Sequence, residues 1–235
     1  MGQYYIPILL SEQGGKTVGC FYSHDYDNGL KLMEHSYLRN EFVNAVIAKA
    51  MSIMKPVTFV WLGDYAELNE DVLPLKAHRA FDPANNVGGY HRDYIRMFGK
   101  IKRVEIGMLY KIMPDEPDVV DKLPYANDVI FYDFLTHQKL SLREYRKNVI
   151  AYRESSGFDP EKAGYDIDEF IVHPLPLLTS LGNGKGGGDY AGGTNMPWVG
   201  AWALHPIGVV YNSGFPDPGE EAWEDISGVV FEEGR

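Results

Sequence analysis

Short runs of aromatic and β-branched residues, bounded by glycine, proline and other turn residues, make up much of the apolar sequence of this chain. Runs of this kind predict β-strands. We place strands at residues 3–10, 16–22, 57–62, 103–113, 128–135 and 198–211, with residues 228–231 closing the sheet. Gly14-Gly15 is typical of a hairpin turn. Pro7 has no N–H to donate, so its strand is predicted to be a sheet edge or to carry a bulge.

The first helix is predicted over about 37–54. Its apolar residues recur at steps of three and four, which places them on one face, and Pro56 ends the helix. The residues of this stripe are Phe42, Val43, Val46, Ile47, Ala50 and Met54.

The second helix is predicted to begin after Ser141 and to run to about residue 155. Ser141 and Glu144 form a capping box, in which each side chain accepts a hydrogen bond from a free backbone N–H. Gly157 is placed to end this helix in a left-handed turn, and Asp159-Pro160 begins a further helical turn. The apolar side of the helix that begins after Ser141 carries Leu142, Tyr145, Val149 and Tyr152. Together these segments predict an α+β fold, with a largely antiparallel mixed sheet and two main helices.

A chain of 235 residues can bury a core large enough to need no disulfides, and Cys20 is the only cysteine. We interpret Cys20 as a buried thiol, since a catalytic thiolate would need electropositive surroundings. We expect one domain over residues 1–235. The acidic, proline-bearing segment 114–124 is a possible boundary between two subdomains.

The net charge of -11 comes from 33 acidic and 22 basic residues. This balance argues against a protein that neutralises nucleic-acid phosphates and against docking on anionic lipid. No apolar stretch approaches the roughly 20 residues that a membrane span needs, and residues 1–10 do not read as a secretory leader. With a single cysteine, we expect a cytoplasmic protein.

Several motifs resemble a family of uncharacterised bacteriophage and bacterial proteins. They are MGQYY at 1–5, GLKLMEHSY at 29–37, WLGDYAE at 61–67, HPLPLLTSLGNGKGGGDY at 173–190 and VGAWA at 199–203. FLTHQKLSLREY at 134–145 is also similar, although its relatives more often read Asn-His-Thr-Lys-Lys in the middle. Residues 70–125 do not match. The resemblance implies a phage or prophage origin but no activity, and no residue role follows from it.

Residues 182–193 (GNGKGGGDYAGG) contain seven glycines in twelve positions. Consecutive glycines let backbone N–H groups converge on an anion, and Lys185 adds a positive charge. The spacing fits neither a P-loop, since Gly186 follows Lys185 where Ser or Thr is required, nor a dinucleotide-binding fold, since no helix follows. The segment is therefore either a ligand or partner contact or a connecting loop.

The tripeptide Gly63-Asp64-Tyr65 follows the predicted strand 57–62, and Gly-Asp-Tyr-Ala occurs again at 188–191. Carboxylates at the carboxyl ends of strands often face clefts, although a turn is the alternative. The predicted ligand-binding residues are Asn183, Gly184, Lys185, Gly186, Gly187, Gly188, Asp189, Asp64 and Tyr65.

Four histidines are candidate site residues. His24-Asp25 and Glu34-His35 have acid–base and metal-ligand side chains, but their spacing fits no zinc or EF-hand pattern, which favours roles in surface turns and helix entry. His173 and His205 each precede a proline. Either could pair with Asp189 in a site, but a structural role for both histidines is favoured.

No GxSxG, CxxC or protein-kinase motif is present, and we predict no catalytic residue, cofactor or metal. The sequence favours a non-enzymatic phage accessory protein that binds a small anionic, nucleotide-like ligand or a host protein. One alternative is a nucleotide-processing hydrolase or transferase that uses Asp64 or Asp189 with a histidine. Another is an acidic decoy of a DNA-binding host protein.

Overall fold

A computed structural model describes residues 4–11, 17–21, 23–53, 55–63, 129–157, 162, 164, 166–182, 197–211, 222–229 and 231. The strands among these residues form one mixed sheet, and the helices bury their apolar sides in the same hydrophobic core as the strands. The prediction of an α+β fold with a largely antiparallel sheet and two main helices is confirmed.

The described sheet has eight strands in the order β2-β1-β3-β7-β4-β5-β8, with β6 beside β3. Two neighbouring pairs, β3–β6 and β5–β8, are parallel, and the other described pairs are antiparallel. The strands are β1 Tyr5–Ser11, β2 Thr17–Cys20, β3 Val57–Gly63, β4 Val129–Asp133, β5 Gln138–Ser141, β6 Ser180–Leu181, β7 Pro206–Tyr211 and β8 Glu224–Asp225.

β1 pairs with β2 on one side and with β3 on the other, so the predicted edge position of this strand is wrong. The sheet accommodates Pro7 because the β1–β2 pairing covers only Ile8 to Leu10. The Pro7 carbonyl accepts its hydrogen bond on this side from Phe21 N–H at 3.2 Å, and Phe21 directly follows β2. The register against β2 shifts between Leu9 and Leu10, an irregularity close to the predicted bulge.

The described α-helices are α1 Glu41–Ile53, α2 Leu142–Ser155 and α3 Pro174–Leu178. α1 begins later than predicted because Asn40 caps it: the Asn40 side-chain oxygen accepts from Val43 N–H at 3.2 Å. Tyr37, which was predicted to be helical, instead forms an antiparallel bridge with Val172. The stripe from Phe42 to Ala50 is buried as predicted, and Met54 lies outside the described residues.

α2 has only half of the predicted capping box. Ser141 Oγ accepts from Glu144 N–H at 3.4 Å, but Ser141 N–H donates to Ser227 Oγ at 2.8 Å rather than to the Glu144 carboxylate. The tertiary neighbour thus replaces the local partner. Tyr152 is also corrected, since about half of it (51%) is exposed, while the other residues of its stripe are buried. Gly157 has the left-handed φ of +90° that its helix-ending role requires.

The predicted strand at 198–211 is confirmed only from Pro206 onward. Residues 197–204 form turns because their N–H groups bond the free carbonyls at the end of α3, with Gly200 N–H on Leu177 and Trp202 N–H on Leu178. β8 closes the sheet beside β5, so the prediction of 228–231 as the closing strand is wrong. The predictions for Gly14-Gly15, 103–113, 114–124 and Asp159-Pro160 lie outside the described residues.

Candidate functional site

The residues predicted from the sequence to bind a ligand, Asp64, Tyr65 and Asn183 to Asp189, lie outside the described residues. The chain on which each segment begins is described. β6 runs parallel to β3, with Trp61 opposite Ser180 and Leu62 opposite Leu181. Neighbouring strands lie about 5 Å apart. Gly63 and Gly182, the residues directly before the two predicted segments, therefore lie at the same end of neighbouring strands.

His35 is a core residue, and its predicted role in a surface turn is wrong. Its Nδ1 lies 3.1 Å from the Gly29 carbonyl, and its Nε2 lies 3.1 Å from the indole nitrogen of Trp61. Since the indole N–H can only donate, Nε2 accepts and Nδ1 carries the proton. Burial lowers the pKa of His35 to about 4, against the opposing effects of the Gly29 hydrogen bond and of Glu34. His24, in contrast, is exposed.

His173 is the N-cap of α3. Its Nδ1 accepts from Leu175 N–H at 3.2 Å, so the proton of the neutral ring is on Nε2. This nitrogen is buried, has no hydrogen-bond partner among the described residues, and belongs to a ring in edge contact with Phe131. Burial lowers the pKa of His173 to about 3. His173 therefore has the structural role that the sequence favoured.

The described structure contains a connected polar cluster that we name the Asp133 centre. It joins side chains from β4, β5, β8 and the two turns beside them through hydrogen bonds. The cluster consists of Asp133, Thr136, Gln138, Trp202, His205 and Glu224.

Asp133 is the last residue of β4, and its side chain is fully buried. Its carboxylate accepts from Leu135 N–H at 3.0 Å, from the Thr136 hydroxyl and, at 2.8 Å, from Nδ1 of His205. The bonds to Leu135 and Thr136 turn the chain locally, which ends the strand. A buried carboxylate needs such partners, since an unpaired buried charge is costly.

Gln138 connects this carboxylate to the rest of the cluster. Its amide oxygen accepts from the Trp202 indole N–H at 2.9 Å and also lies 3.2 Å from the Thr136 hydroxyl oxygen, whose one proton is donated to Asp133. Its amide nitrogen donates to the Glu224 carboxylate at 2.9 Å. Because Trp202 is fully buried, Gln138 supplies the acceptor that its indole needs.

The backbone on both sides of the cluster is in an uncommon conformation. Leu204 and His137 have φ angles of +65° and +55°, in the left-handed region that side chains other than glycine rarely adopt. Leu204 is held there by its N–H bond to the Phe59 carbonyl at 2.8 Å. Gly208 leaves room for the Phe134 ring, since a Cβ at Gly208 would lie 2.8 Å from that ring.

His205 is therefore fixed at its backbone and at one ring nitrogen. About a fifth of its side chain (20%) is exposed. Nε2 of His205 has no hydrogen-bond partner among the described residues. With Nδ1–H bonded to a carboxylate, Nε2 of the neutral ring has a lone pair, which can accept a proton or a hydrogen bond. This is the arrangement of a general base.

The sequence named His205 but not its partner. Asp189, the carboxylate considered for it, lies outside the described residues, and the bonded carboxylate is Asp133, 72 residues away in the sequence. No local spacing reveals this pair, because it forms only when β4 and β7 align with Asp133 opposite Ile207. The backbone of His205 lies beside Phe59, four residues before Gly63, so this part of the Asp133 centre is about 13 Å along β3 from Gly63.

In the part of the chain that the structure describes, no group of three or more His, Cys, Asp and Glu side chains could hold a metal ion. No described helix combines the length and apolar character that crossing a membrane requires. Comparison of the chain with protein-family models, with curated proteins and with solved structures finds no match.

Proposed function

We propose that the protein binds a small anionic, nucleotide-like ligand where the chain leaves β3 and β6. The observation that supports this proposal is the parallel pairing of the two strands, Leu62 opposite Leu181, immediately before the two predicted segments. Gly63 and Gly182, the residues directly before the two segments, thus follow paired positions on neighbouring strands, which run about 5 Å apart. We propose that one ligand contacts both segments.

The chemistry of these segments suits such a ligand. Backbone N–H groups of Gly184 and of Gly186 to Gly188 can converge on phosphate oxygens, because glycine adopts the conformations that aim successive amides inward. The Lys185 ammonium adds a charged donor. The Tyr65 ring offers a face for stacking a base.

The proposal has two further parts that come from the sequence alone. The resemblance to bacteriophage proteins supports a phage or prophage origin, and the single cysteine fits a cytoplasmic location. A host protein remains the other partner that this segment could contact.

Titration calorimetry with adenosine and guanosine mono-, di- and triphosphates tests the proposal. We expect binding of at least one nucleotide, about tenfold weaker in Lys185→Ala because a charged hydrogen bond is lost. Gly187→Val should also weaken binding. The matched control is Lys147→Ala, which removes the same charge from the exposed face of α2. A panel without binding, or equal losses in Lys185→Ala and Lys147→Ala, would contradict the proposal.

The shared site is tested separately with Tyr65→Ala and the Tyr65→Ala/Lys185→Ala double variant. If both residues contact one ligand, Tyr65→Ala weakens binding and Tyr65→Phe retains it, because the phenyl ring stacks equally well. Wild-type affinity in Tyr65→Ala would restrict the site to residues 183–189.

A further inference from the structure

We infer that the Asp133 centre is a general-base site, in which Nε2 of His205 accepts a proton from water or from a hydroxyl group of a neutral substrate. This inference is independent of the proposed anion site, because it uses only described residues and lies about 13 Å along β3 from Gly63.

The first step of the argument is the tautomer. Asp133 can accept hydrogen bonds but cannot donate any while ionised, so the 2.8 Å contact places the proton of His205 on Nδ1. The lone pair is then on Nε2, on the side of the ring away from the carboxylate. Asp133 also stabilises the imidazolium that forms when Nε2 takes a proton.

The second step is orientation. A base must be held within hydrogen-bond reach of the proton that it removes. The backbone of His205 is bonded on both sides, through its carbonyl to Phe59 N–H at 3.4 Å and through its N–H to the Trp202 carbonyl at 3.1 Å. Pro206 follows and restricts the backbone further. The ring is thus held at Cα and at Nδ1.

The third step is the strain beside it. Leu204 directly precedes His205 and has a φ of +65°, in the left-handed region that side-chain-bearing residues rarely adopt. Backbone strain that the surrounding structure maintains is concentrated at functional sites. Here the hydrogen bond from Leu204 N–H to the Phe59 carbonyl, at 2.8 Å, maintains the conformation and fixes the chain directly before His205.

The fourth step is charge, which selects the substrate. The carboxylates of Asp133 and Glu224 belong to the cluster, and Asp225 follows Glu224 in β8. Among the described residues, the pairing of β5 with β8 brings one basic residue, Lys139, opposite Asp225. Carboxylates repel an anion that approaches their surroundings. The site therefore suits a neutral substrate, in contrast to the anionic ligand of the glycine-rich segment.

A neutral ester shows the step that this geometry supports. Nε2 of His205 accepts a proton from water while the water oxygen bonds to the acyl carbon. The bond from that carbon to the leaving oxygen breaks, and the leaving group takes the electron pair. The proton then passes from Nε2 to solvent or to the leaving group, so the products are the acid and the alcohol.

Hydrolysis of p-nitrophenyl acetate by the full-length chain tests the inference. We expect His205→Gln to lower the rate above buffer by about a hundredfold, the lower end of general-base contributions. His24→Gln, which removes an exposed imidazole, should leave the rate unchanged. The wild-type rate should fall in D2O, since the proton moves in the slow step. An unchanged rate in His205→Gln, or an equal loss in His24→Gln, would overturn the inference.

Asp133 is a positioning residue in this scheme, and its role needs a readout that does not depend on a folded variant. Imidazole nitrogen NMR of the wild-type protein should show His205 with its proton on Nδ1, and the opposite tautomer would overturn the inference. In folded Asp133→Asn we expect this fixed tautomer to be lost and the rate to be reduced at least about tenfold, because an amide can donate to the ring as well as accept. A preserved tautomer and rate would remove Asp133 from the scheme.

Discussion

Acidification tests the two buried histidines, because His35 and His173 are neutral in the folded protein. Burial lowers the pKa of His35 from 6.5 to about 4 and that of His173 from 6.5 to about 3. In the unfolded chain both side chains take up a proton near pH 6.5. Below that pH the folded state binds fewer protons than the unfolded state, so the free energy of unfolding falls as the pH decreases.

The magnitude follows from these pKa values. Each histidine reduces the free energy of unfolding by about 1.4 kcal/mol per pH unit until the pH reaches its folded pKa. Between pH 7 and pH 5 the loss is about 2 kcal/mol for each histidine, or about 4 kcal/mol for the pair. The local structure explains why neither ring accommodates a proton: the remaining nitrogen of each already accepts a hydrogen bond, from Trp61 in one case and from Leu175 in the other.

The assay is urea unfolding at pH 7 and pH 5, with His173→Asn as the variant. The asparagine oxygen can cap α3 in place of Nδ1 and does not titrate. The variant should lose about 2 kcal/mol less than the wild type between the two pH values. Carboxylate titration is common to both proteins and cancels in this difference. His24→Asn makes the same substitution at an exposed position and is the control for it. Equal pH dependence in His173→Asn and the wild type would refute the reasoning.

Two further predictions concern packing and polar pairing. Gly200→Ala should destabilise the protein by about 2 kcal/mol or more, because φ is +76° and a Cβ would lie 2.5 Å from the Ser180 carbonyl oxygen. Gly157→Ala, at φ +90° in open space, should cost only about 1 kcal/mol, and equal losses in urea unfolding would contradict the role of the Ser180 contact. Gln138→Ala should cost about 2 kcal/mol because the buried Trp202 indole loses its acceptor. Glu224→Gln, which still accepts from Gln138, should change the stability less, and thermal unfolding distinguishes the two variants.

The helix predictions succeeded where the pattern was local. The apolar stripe of α1 lies on one face because residues three and four apart meet on a helix, and its residues from Phe42 to Ala50 are buried. α1 begins four residues later than predicted, because Tyr37 pairs with Val172, a contact that no local sequence pattern contains. At α2, Ser227 took the place of Glu144 for the same reason.

The predicted strand at 128–135 extends two residues into a turn that has no glycine, and β5 was not predicted. β4 and β5 are joined through Phe134 to His137, with His137 itself in the left-handed conformation. Residues 134–137 contain no Asn-Gly or Gly-Gly pair, which is the sequence signal that marks a hairpin turn. The buried Asp133 stabilises this turn through its bonds to Leu135 and Thr136, and burial of a carboxylate is not visible in composition or periodicity.

The sequence alone determined the fold class, the buried face of α1, most of the buried face of α2 and the central strand β3, because side-chain periodicity depends only on backbone geometry. It also indicated the glycine-rich segment 182–193 as a candidate ligand contact. Only the tertiary structure decided that β6 lies parallel to β3, that His35 and His173 are core residues and that His205 bonds Asp133. Each of these depends on strand register and burial, which are set by packing over the whole chain rather than by neighbours in sequence.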